Sequence, residues 1–423
     1  MPVCSAAANP PHYRWNYAMH VADGGLFMGS QAILNANTVL TTAIAAFGGQ
    51  PWLISLMPVM MMLGVSAIPL FTAHRLDRLS RSMPLLLVTG VGQRLPILVI
   101  GLVLLAYPDR FPLLCLTIAL GHLLAGVCCG VGLPAWQELF SQTVPARRRS
   151  SVFANRYLIG SIMGLAGGWV VKRTLADHPG AVGYGFLHLY AFGLLVLSYA
   201  LFAALRETPR QPSPTRLHLS LLDNLRAVPG LVIRYPQFGT YLVVSAMANG
   251  AYLLAPFLAI HCLSALGRPA SYVGVFVAAQ MTGGVTGNLL AGWLGDRHGA
   301  KRVLLLSQVA LLATAAGALV AGTEMICWAV FFGLGFVDAS RRVGGGTLVL
   351  EIAPGERRAT ALAIASLVQV LSLLALSGVS AWLWQTGGLR PLGIMALVVG
   401  ALTLAGLSRL REPRHLDAVT PAA

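Results

Sequence analysis

The residues of this chain richest in chemistry are Asp338-Ala-Ser-Arg341-Arg342, three charged side chains in the middle of an otherwise apolar run from Met325 to Leu350. On a membrane-insertion scale, three central charges cost together roughly 8 to 10 kcal/mol, while the large apolar residues around them return about 3 to 7. A helix with that deficit is unstable against lipid, so its charged side must face other protein. Asp338 reaches Arg341 or Arg342, three and four residues on along one helix face. One carboxylate cannot neutralise two guanidiniums. The surplus charge suits a carboxylate or phosphate on a small molecule, because arginine presents a planar fork of donors. A structural alternative stands beside it: Glu138, Glu351 or a phospholipid headgroup completes a network that only holds helices together.

Five other polar positions interrupt apolar runs. Arg94 lies halfway along one, with Asp23 and Glu138 as the nearest candidate partners, and forms either an internal charge pair or a ligand contact. Asn35, Asn37 and Asn249 sit at similar depths in two other runs; amides there either bind a ligand or bridge helices for about 0.6 kcal/mol. His122 titrates near neutrality and is a proton carrier or a buried, hydrogen-bonded core residue, with Asp338 the other candidate proton site.

These residues need elements to hold them, and composition says which. Hydrophobic residues make up 56% of the 423 and charged ones 10%, against roughly 25% charged in a soluble domain. At about 20 residues per span, roughly twelve membrane helices fit. The apolar runs are Val21–Phe47, Trp52–Thr72, Met83–Tyr107, Phe111–Leu139, Val152–Val171 and Gly185–Leu205, then Phe238–Leu263, Ser271–Gly295, Val303–Ala321, Met325–Leu350, Ala359–Gln385 and Pro391–Leu407. Between the two groups, Arg206–Arg216 is Pro-rich and extended, and Leu217–Tyr235 is an amphipathic surface segment expected to break near Pro229-Gly230. The expected division is residues 1–205, a linker at 206–236, and 237–423.

The net charge of +15 is placed asymmetrically. About 21 of the 29 Lys and Arg fall in turns on the side holding both termini, about 5 on the other, and 3 (Arg94, Arg341 and Arg342) inside helices. That asymmetry puts both termini in the cytoplasm and assigns the charge to anionic headgroups instead of nucleic acid. The six cysteines show no metal-site spacing, and no signal peptide precedes the first run. Trp136, Trp293, Trp328 and Trp384 are expected as interface anchors near helix ends. GxxxxGK[ST], HExxH and GxSxG are absent, which leaves no nucleotide, zinc-protease or hydrolase site by motif.

Two motifs occur twice in the same order. Gly292-Trp-Leu-Gly-Asp296-Arg297-His-Gly299-Ala-Lys301-Arg302 turns between two apolar runs, and Asp77-Arg78 with Arg81 does so about 220 residues earlier. Gly292 is expected to let backbones pack closely, Asp296 to cap or pair, Gly299 to permit the tight turn, and the basic residues to keep it out of lipid. Pro145-Ala-Arg-Arg148-Arg149-Ser-Ser-Val-Phe153-Ala154 likewise matches Pro354-Gly-Glu-Arg357-Arg358-Ala-Thr-Ala-Leu362-Ala363. The chain therefore reads as two similar halves, an all-α integral membrane protein of two six-helix bundles.

The loop pattern GxxxDRxGxKR resembles the signature loop of the major facilitator superfamily of transporters, and the likeness spans nearly the whole chain. Ala73 and Ser80 depart from it where the first copy would carry glycine. The resemblance implies a monomeric, gradient-driven secondary transporter of a small molecule, without a bound cofactor or metal, coupled to a proton and leaning to export of an organic or anionic compound. It implies a cavity lined by the first, fourth, seventh and tenth helices, and a gate in which Asp296 pairs with Arg357 or Arg358. His122 stands four residues before Gly126, where proton-coupled members carry arginine. Gly160, Gly164, Gly167 and Gly168 resemble the glycine series of exporters, with Leu165 where those carry proline; small-residue packing is the plain reading. The alternative is a transporter-shaped protein without transport, an assembly factor, lipid-handling protein or sensor, which predicts a closed centre.

Overall fold

The computed structural model describes residues 10–69, 71–72, 81–208, 221–352 and 358–410, and every regular element among them is helical. In a medium that offers backbone groups no partner but each other, helices satisfy each segment internally. The first set is α1 (Tyr13–Ile33), α2 (Val39–Ala46), α3 (Pro51–Ala67), α4 (Met83–Ala106), α5 (Phe111–Thr143), α6 (Ala146–Asp177) and α7 (Ala181–Ala203). After α8 (Leu221–Arg234) come α9 (Pro236–Met247), α10 (Ala251–Leu266), α11 (Val273–His298), α12 (Ala300–Leu319), α13 (Glu324–Ile352), α14 (Arg358–Gly387) and α15 (Leu389–Arg409). With α1 and α2 as one interrupted pass, and α9 and α10 as another, the described residues make twelve passes, so Tyr13 and Arg409 lie at the same end.

Eight passes are long and apolar enough to cross a membrane on composition alone. The four that fall short are α1–α2, α3, α6 and α13, three carrying polar groups or a break and one only 17 residues long.

The first run was expected as one helix from Val21 to Phe47; it begins at Tyr13 and breaks between Leu34 and Thr38. The cause is local. Asn35 Oδ1 accepts the amide of Asn37 at 3.0 Å, and the Asn35 carbonyl takes the amides of Thr38, Val39 and Leu40. A side chain that captures its own backbone two residues on competes with the helix. The seventh pass tightens into a 3-10 turn at Ala248-Asn249-Gly250. Conversely α8 does not break at Pro229-Gly230. Leu231 is buried there with Val228 and Val232 against Phe238, Tyr241 and Leu348, and that packing holds the helix through the proline.

At the end opposite the termini, one apolar core joins both sets: Ile44, Ile100, Leu114 and Tyr184 of the first belong to the same cluster as Phe257, Phe276, Phe331 and Leu392 of the second. At the terminal end the cores are separate, with Leu86, Leu139, Phe140 and Phe202 in the first set and Phe238, Leu304, Leu348 and Leu407 in the second. The molecule is sealed at the end opposite the termini (below, the outer end) and split at the terminal end.

Two of the tryptophans expected as anchors pack inward instead: Trp384 stacks on Phe257 at 4.5 Å, and Trp136 stacks on Phe140 at 5.4 Å with Arg156 over its ring. Trp293 and Trp328 are exposed near helix ends. At the outer surface, Glu324 accepts from Arg268, and that bond raises the guanidinium's pKa above its ordinary value.

Candidate functional site

A cavity of about 630 Å³ fills the split between the two sets of passes. Asn35, Asn37, Asn249, Asp338, Arg341 and Arg342 all line it, and the charged residues among its described lining are Asp338, Arg341 and Arg342. The breaks in the first and seventh passes put their asparagines on its wall from opposite sides. Asn35 faces it from α1–α2; Asn249 sits in the 3-10 turn and is 1% exposed.

Asn249 is held at both ends. Its Nδ2 donates to Ser372 Oγ at 2.7 Å, Ser372 in turn donates to the Gln369 carbonyl, and its Oδ1 accepts from Arg341 Nη1 at 2.5 Å. The chain of bonds fixes which way the amide points and so locks Arg341, whose guanidinium also lies 5.6 Å over the Tyr252 ring. Asp338 touches both arginines as the sequence spacing requires, with Oδ2 2.9 Å from Arg342 Nη1 and Oδ1 3.7 Å from Arg341 Nη2. Arg342 lies deep in the bundle, yet its side chain is 52% exposed because it faces the cavity. The site therefore carries two guanidiniums against one carboxylate, one guanidinium anchored and one presented to the lumen. An anion entering it meets donors already oriented and partly desolvated.

The remaining wall is uncharged: amides, thioethers, the hydroxyls of Tyr157, Ser161, Tyr241, Ser245 and Ser366, and apolar side chains. Gln31, Gln280, Asn288, Gln308 and Gln369 line it with Met28, Met61, Met62 and Met281, and Tyr252 donates to Met62 Sδ at 3.4 Å. Gly345 and Gly346, where an added Cβ would meet nothing within 4 Å, keep the lumen open beside the arginines.

Asp23 and Arg94 are not among the described cavity lining. They form an internal network in which Ser198 mediates: Ser198 donates to Asp23 Oδ1 at 2.6 Å and accepts from Arg94 Nη2 at 3.3 Å. Arg94 spends its other donors on the carbonyls of Leu195 and Gly90. The direct partner of Asp23 is Arg156, 3.6 Å away, which also donates to the His20 carbonyl. Arg156 lies inside α6 and is 7% exposed, so it belongs with the arginines inside helices and not with the turn charges. Glu138 accepts from Gln142 on its own helix.

His122 is buried in α5, outside the cavity lining. Its Nδ1 donates to the Ile118 carbonyl at 2.9 Å, and its ring stands edge-on to His188 at 5.7 Å.

Of the turn residues, Asp296 and Arg297 close α11, Arg297 lies over the Trp293 ring, and Gly299 turns the chain at φ 88. Lys301 donates to the Ser408 carbonyl at 3.1 Å. Arg149 donates to the Ser141 and Val144 carbonyls, capping the end of α5, and Arg148 is exposed. Gly292 does not serve close packing, since a Cβ there meets nothing within 4 Å; its face of α11 has no neighbouring helix at that level. Close contacts lie elsewhere: on α6, where Gly160 meets Met28, Gly164 meets Met281 and Gly168 meets Gly274 of α11, and earlier along α11 itself, where Gly283 and Gly287 meet the backbone of Phe332 and Phe336 in α13. Asp77, Arg78 and Arg357 lie outside the described residues, as does the side chain of Arg358, which begins α14.

Three sets of comparisons bear on this arrangement. The sequence pattern of the Major Facilitator Superfamily matches residues 238–423. Two curated relatives are similar over shorter stretches. The probable galactarate/D-glucarate transporter GudP of Bacillus subtilis (strain 168) is 30% identical over 145 residues, 33% of this chain and 32% of that protein. The glucose facilitated diffusion protein of Zymomonas mobilis is 33% identical over 144 residues, 32% of this chain and 28% of that protein. The matched stretch thus spans about a third of each relative's length. Among solved structures, the nucleoside transporter NupG superposes with a TM-score of 0.69 at 13% identity, covering 93% of this chain and 98% of that one. A bacterial homologue of the human lysosomal transporter Spinster superposes with a TM-score of 0.64 at 14% identity, covering 98% and 100%. The Major Facilitator Superfamily's sequence pattern thus covers the second half of this chain, and the chain's fold matches that of these solved transporters over nearly its whole length.

Proposed function

We propose that this protein is a secondary transporter of a small anionic molecule, which it carries across the cell membrane by alternating access with Asn35, Asn37, Asn249, Asp338, Arg341 and Arg342 as its binding site. The observation that carries the reading is the cavity itself: placed between the two sets of passes, closed at the end opposite the termini by a shared apolar core, with amides and charges set in a largely apolar wall and one more cation than anion among its described lining. Residues 1–205 and 237–423 move as the two halves, tethered by 206–236. The excess of basic residues at the terminal end supports a cytoplasmic position for that end, in which the cavity faces inward. The gate that closes it draws on Asp296 with Arg357 or Arg358, by analogy with the family. The names of the curated relatives, a probable galactarate/D-glucarate transporter and a glucose facilitated diffusion protein, support a polar organic substrate; the working unit of this proposal is a monomer. The non-transporting alternative expects a closed centre, and the open polar cavity argues against it; no motif argues for catalysis.

A proton is the coupling ion of this proposal. A proton carried inward together with the anion gives uptake in place of the export to which the family resemblance leans.

The test is a thermal-shift screen of purified protein against organic anions, organic cations and neutral sugars, beside Arg341→Gln. Anions at about 100 times their Kd stabilise wild type by roughly 2.7 kcal/mol, a rise of a few degrees, and leave Arg341→Gln unmoved. Cations or neutral compounds stabilising both forms, with anions inert, would overturn the reading.

A further inference from the structure

The cavity offers more than charge. Among the buried polar atoms of the described residues that have no partner in the protein, two belong to its wall: Asn37 Oδ1 on the first set of passes and Gln280 Oε1 on the second. Both are acceptors, and an acceptor left without a donor in a dry setting is costly. The terminal amide torsion is broad, so a small turn brings either oxygen to the lumen. A ligand that relieves both must donate hydrogen bonds at two points while its anionic group rests on Arg341 and Arg342.

Charge sets a second limit. Asp338 occupies one guanidinium's worth of charge, and no other cation stands among the described lining residues. One net positive charge is left for the ligand. A second carboxylate at the far end of a ligand would sit among neutral amide, hydroxyl, thioether and apolar groups with no cation among the described lining to meet it.

Resting on the transporter reading above, we infer that the cavity binds a monoanionic polyhydroxy acid, its carboxylate on Arg341 and Arg342 and its hydroxyls donating to Asn37 and Gln280. The ligand so held touches both sets of passes at once, Asn37 on one side and Gln280, Arg341 and Arg342 on the other. Substrate binding thereby links the two bodies that must move relative to one another. The cavity volume, about 630 Å³, accommodates a six-carbon acid with its first waters.

The experiment compares probes built on one carbon chain. Sorbitol, D-gluconate and D-glucarate carry no, one and two carboxylates on the same polyol frame, and hexanoate carries one carboxylate without hydroxyls. Affinities are measured by titration calorimetry on the purified full chain. D-Gluconate is expected to bind wild type at least about tenfold more tightly than each of the other three. In Asn37→Leu and Gln280→Leu, D-gluconate falls toward hexanoate while hexanoate itself is unchanged, a pattern that a general loss of fold would not produce.

D-Glucarate binding as tightly as D-gluconate overturns the single-charge inference, and hexanoate binding as tightly overturns the role of the hydroxyls. No D-gluconate binding to wild type overturns the inference as a whole. If in any of these cases anions still bind wild type and fail on Arg341→Gln, the broader anion-transporter reading survives; if Arg341→Gln binds every probe as wild type does, both fall.

Discussion

Gly168 of α6 and Gly274 of α11 meet backbone to backbone where the two sets of passes cross toward the outer end. A Cβ built on Gly168 lies 2.6 Å from the Gly274 carbonyl oxygen and 3.0 Å from the Ala278 amide nitrogen. Ordinary contact begins near 3.4 Å, so Gly168→Ala must push α6 and α11 apart by roughly 0.8 Å. Both obstructing atoms are backbone, and no side-chain rotation relieves them. Overpacking of this kind typically costs about 1–3 kcal/mol. The contact belongs to the state closed at the outer end, so the cost falls on that state alone. The balance shifts about 5- to 150-fold toward the outward-open state. The readout is maleimide labelling of a single reporter, Ser245→Cys in the cavity wall, in a background without native cysteines, with a membrane-impermeant reagent applied from the terminal end. Gly168→Ala slows that labelling, by at most the factor of that shift. Gly378→Ala serves as control, because its added Cβ meets nothing within 4 Å, and leaves the rate unchanged. Equal rates in Gly168→Ala and wild type, with an unchanged melting midpoint, would refute the assignment of this crossing as the outer seal.

Two further outcomes follow from the same packing. Arg156→Met leaves Asp23 buried without its direct ionic partner and lowers stability by about 3–5 kcal/mol, whereas Arg156→Met combined with Asp23→Leu recovers most of that; melting midpoints in detergent decide, and a neutral single variant would contradict the network described. At the turn between α11 and α12, Gly299→Ala forces a side chain onto φ 88 and costs about 1–3 kcal/mol, while Gly292→Ala stays within about 0.5 kcal/mol of wild type, so equal effects at the two positions would refute the division between a conformational and an unconstrained glycine.

What was legible in the sequence divides along physical lines. Charges inside apolar runs announce themselves, because each carries a large local cost that only buried partners or a cavity can offset. Arg94, Asp338, Arg341 and Arg342 are visible for that reason, and the spacing of the last three forces the pairing with Asp338. Arg156 was open to the same argument, since it lies inside the expected run from Val152 to Val171. Its partner could not be read, because Asp23 and Arg156 meet only through the packing of α1 on α6. Amides are harder still. Gln31, Gln280 and Gln369 cost a helix so little that nothing in sequence separates a cavity wall from a surface. The interruption of the first pass had a local signal, Asn35-Ala-Asn37-Thr38, a cluster of turn-forming residues inside an apolar stretch. Apolar periodicity averages over such a cluster and draws one helix.

That interruption connects the fold to the site. A continuous helix through Asn35 would commit the amide of Asn37 to a carbonyl four residues back; the break gives it to the Asn35 side chain instead. On the other side of the cavity, the 3-10 turn at Asn249 sets an amide whose two ends are claimed by Ser372 and Arg341. In each set of passes the first helix gives up regular hydrogen bonding at the depth where the cavity runs, and irregular backbone is tolerated inside a membrane only where protein or a polar lumen covers it. The passes that fall short of a membrane span by composition, α1–α2, α3, α6 and α13, all contribute to that lumen. The poorest membrane helices thus all help to build the site, joined by Asn249 and Gln280 from passes apolar enough to span, and the surrounding apolar faces hold them away from lipid.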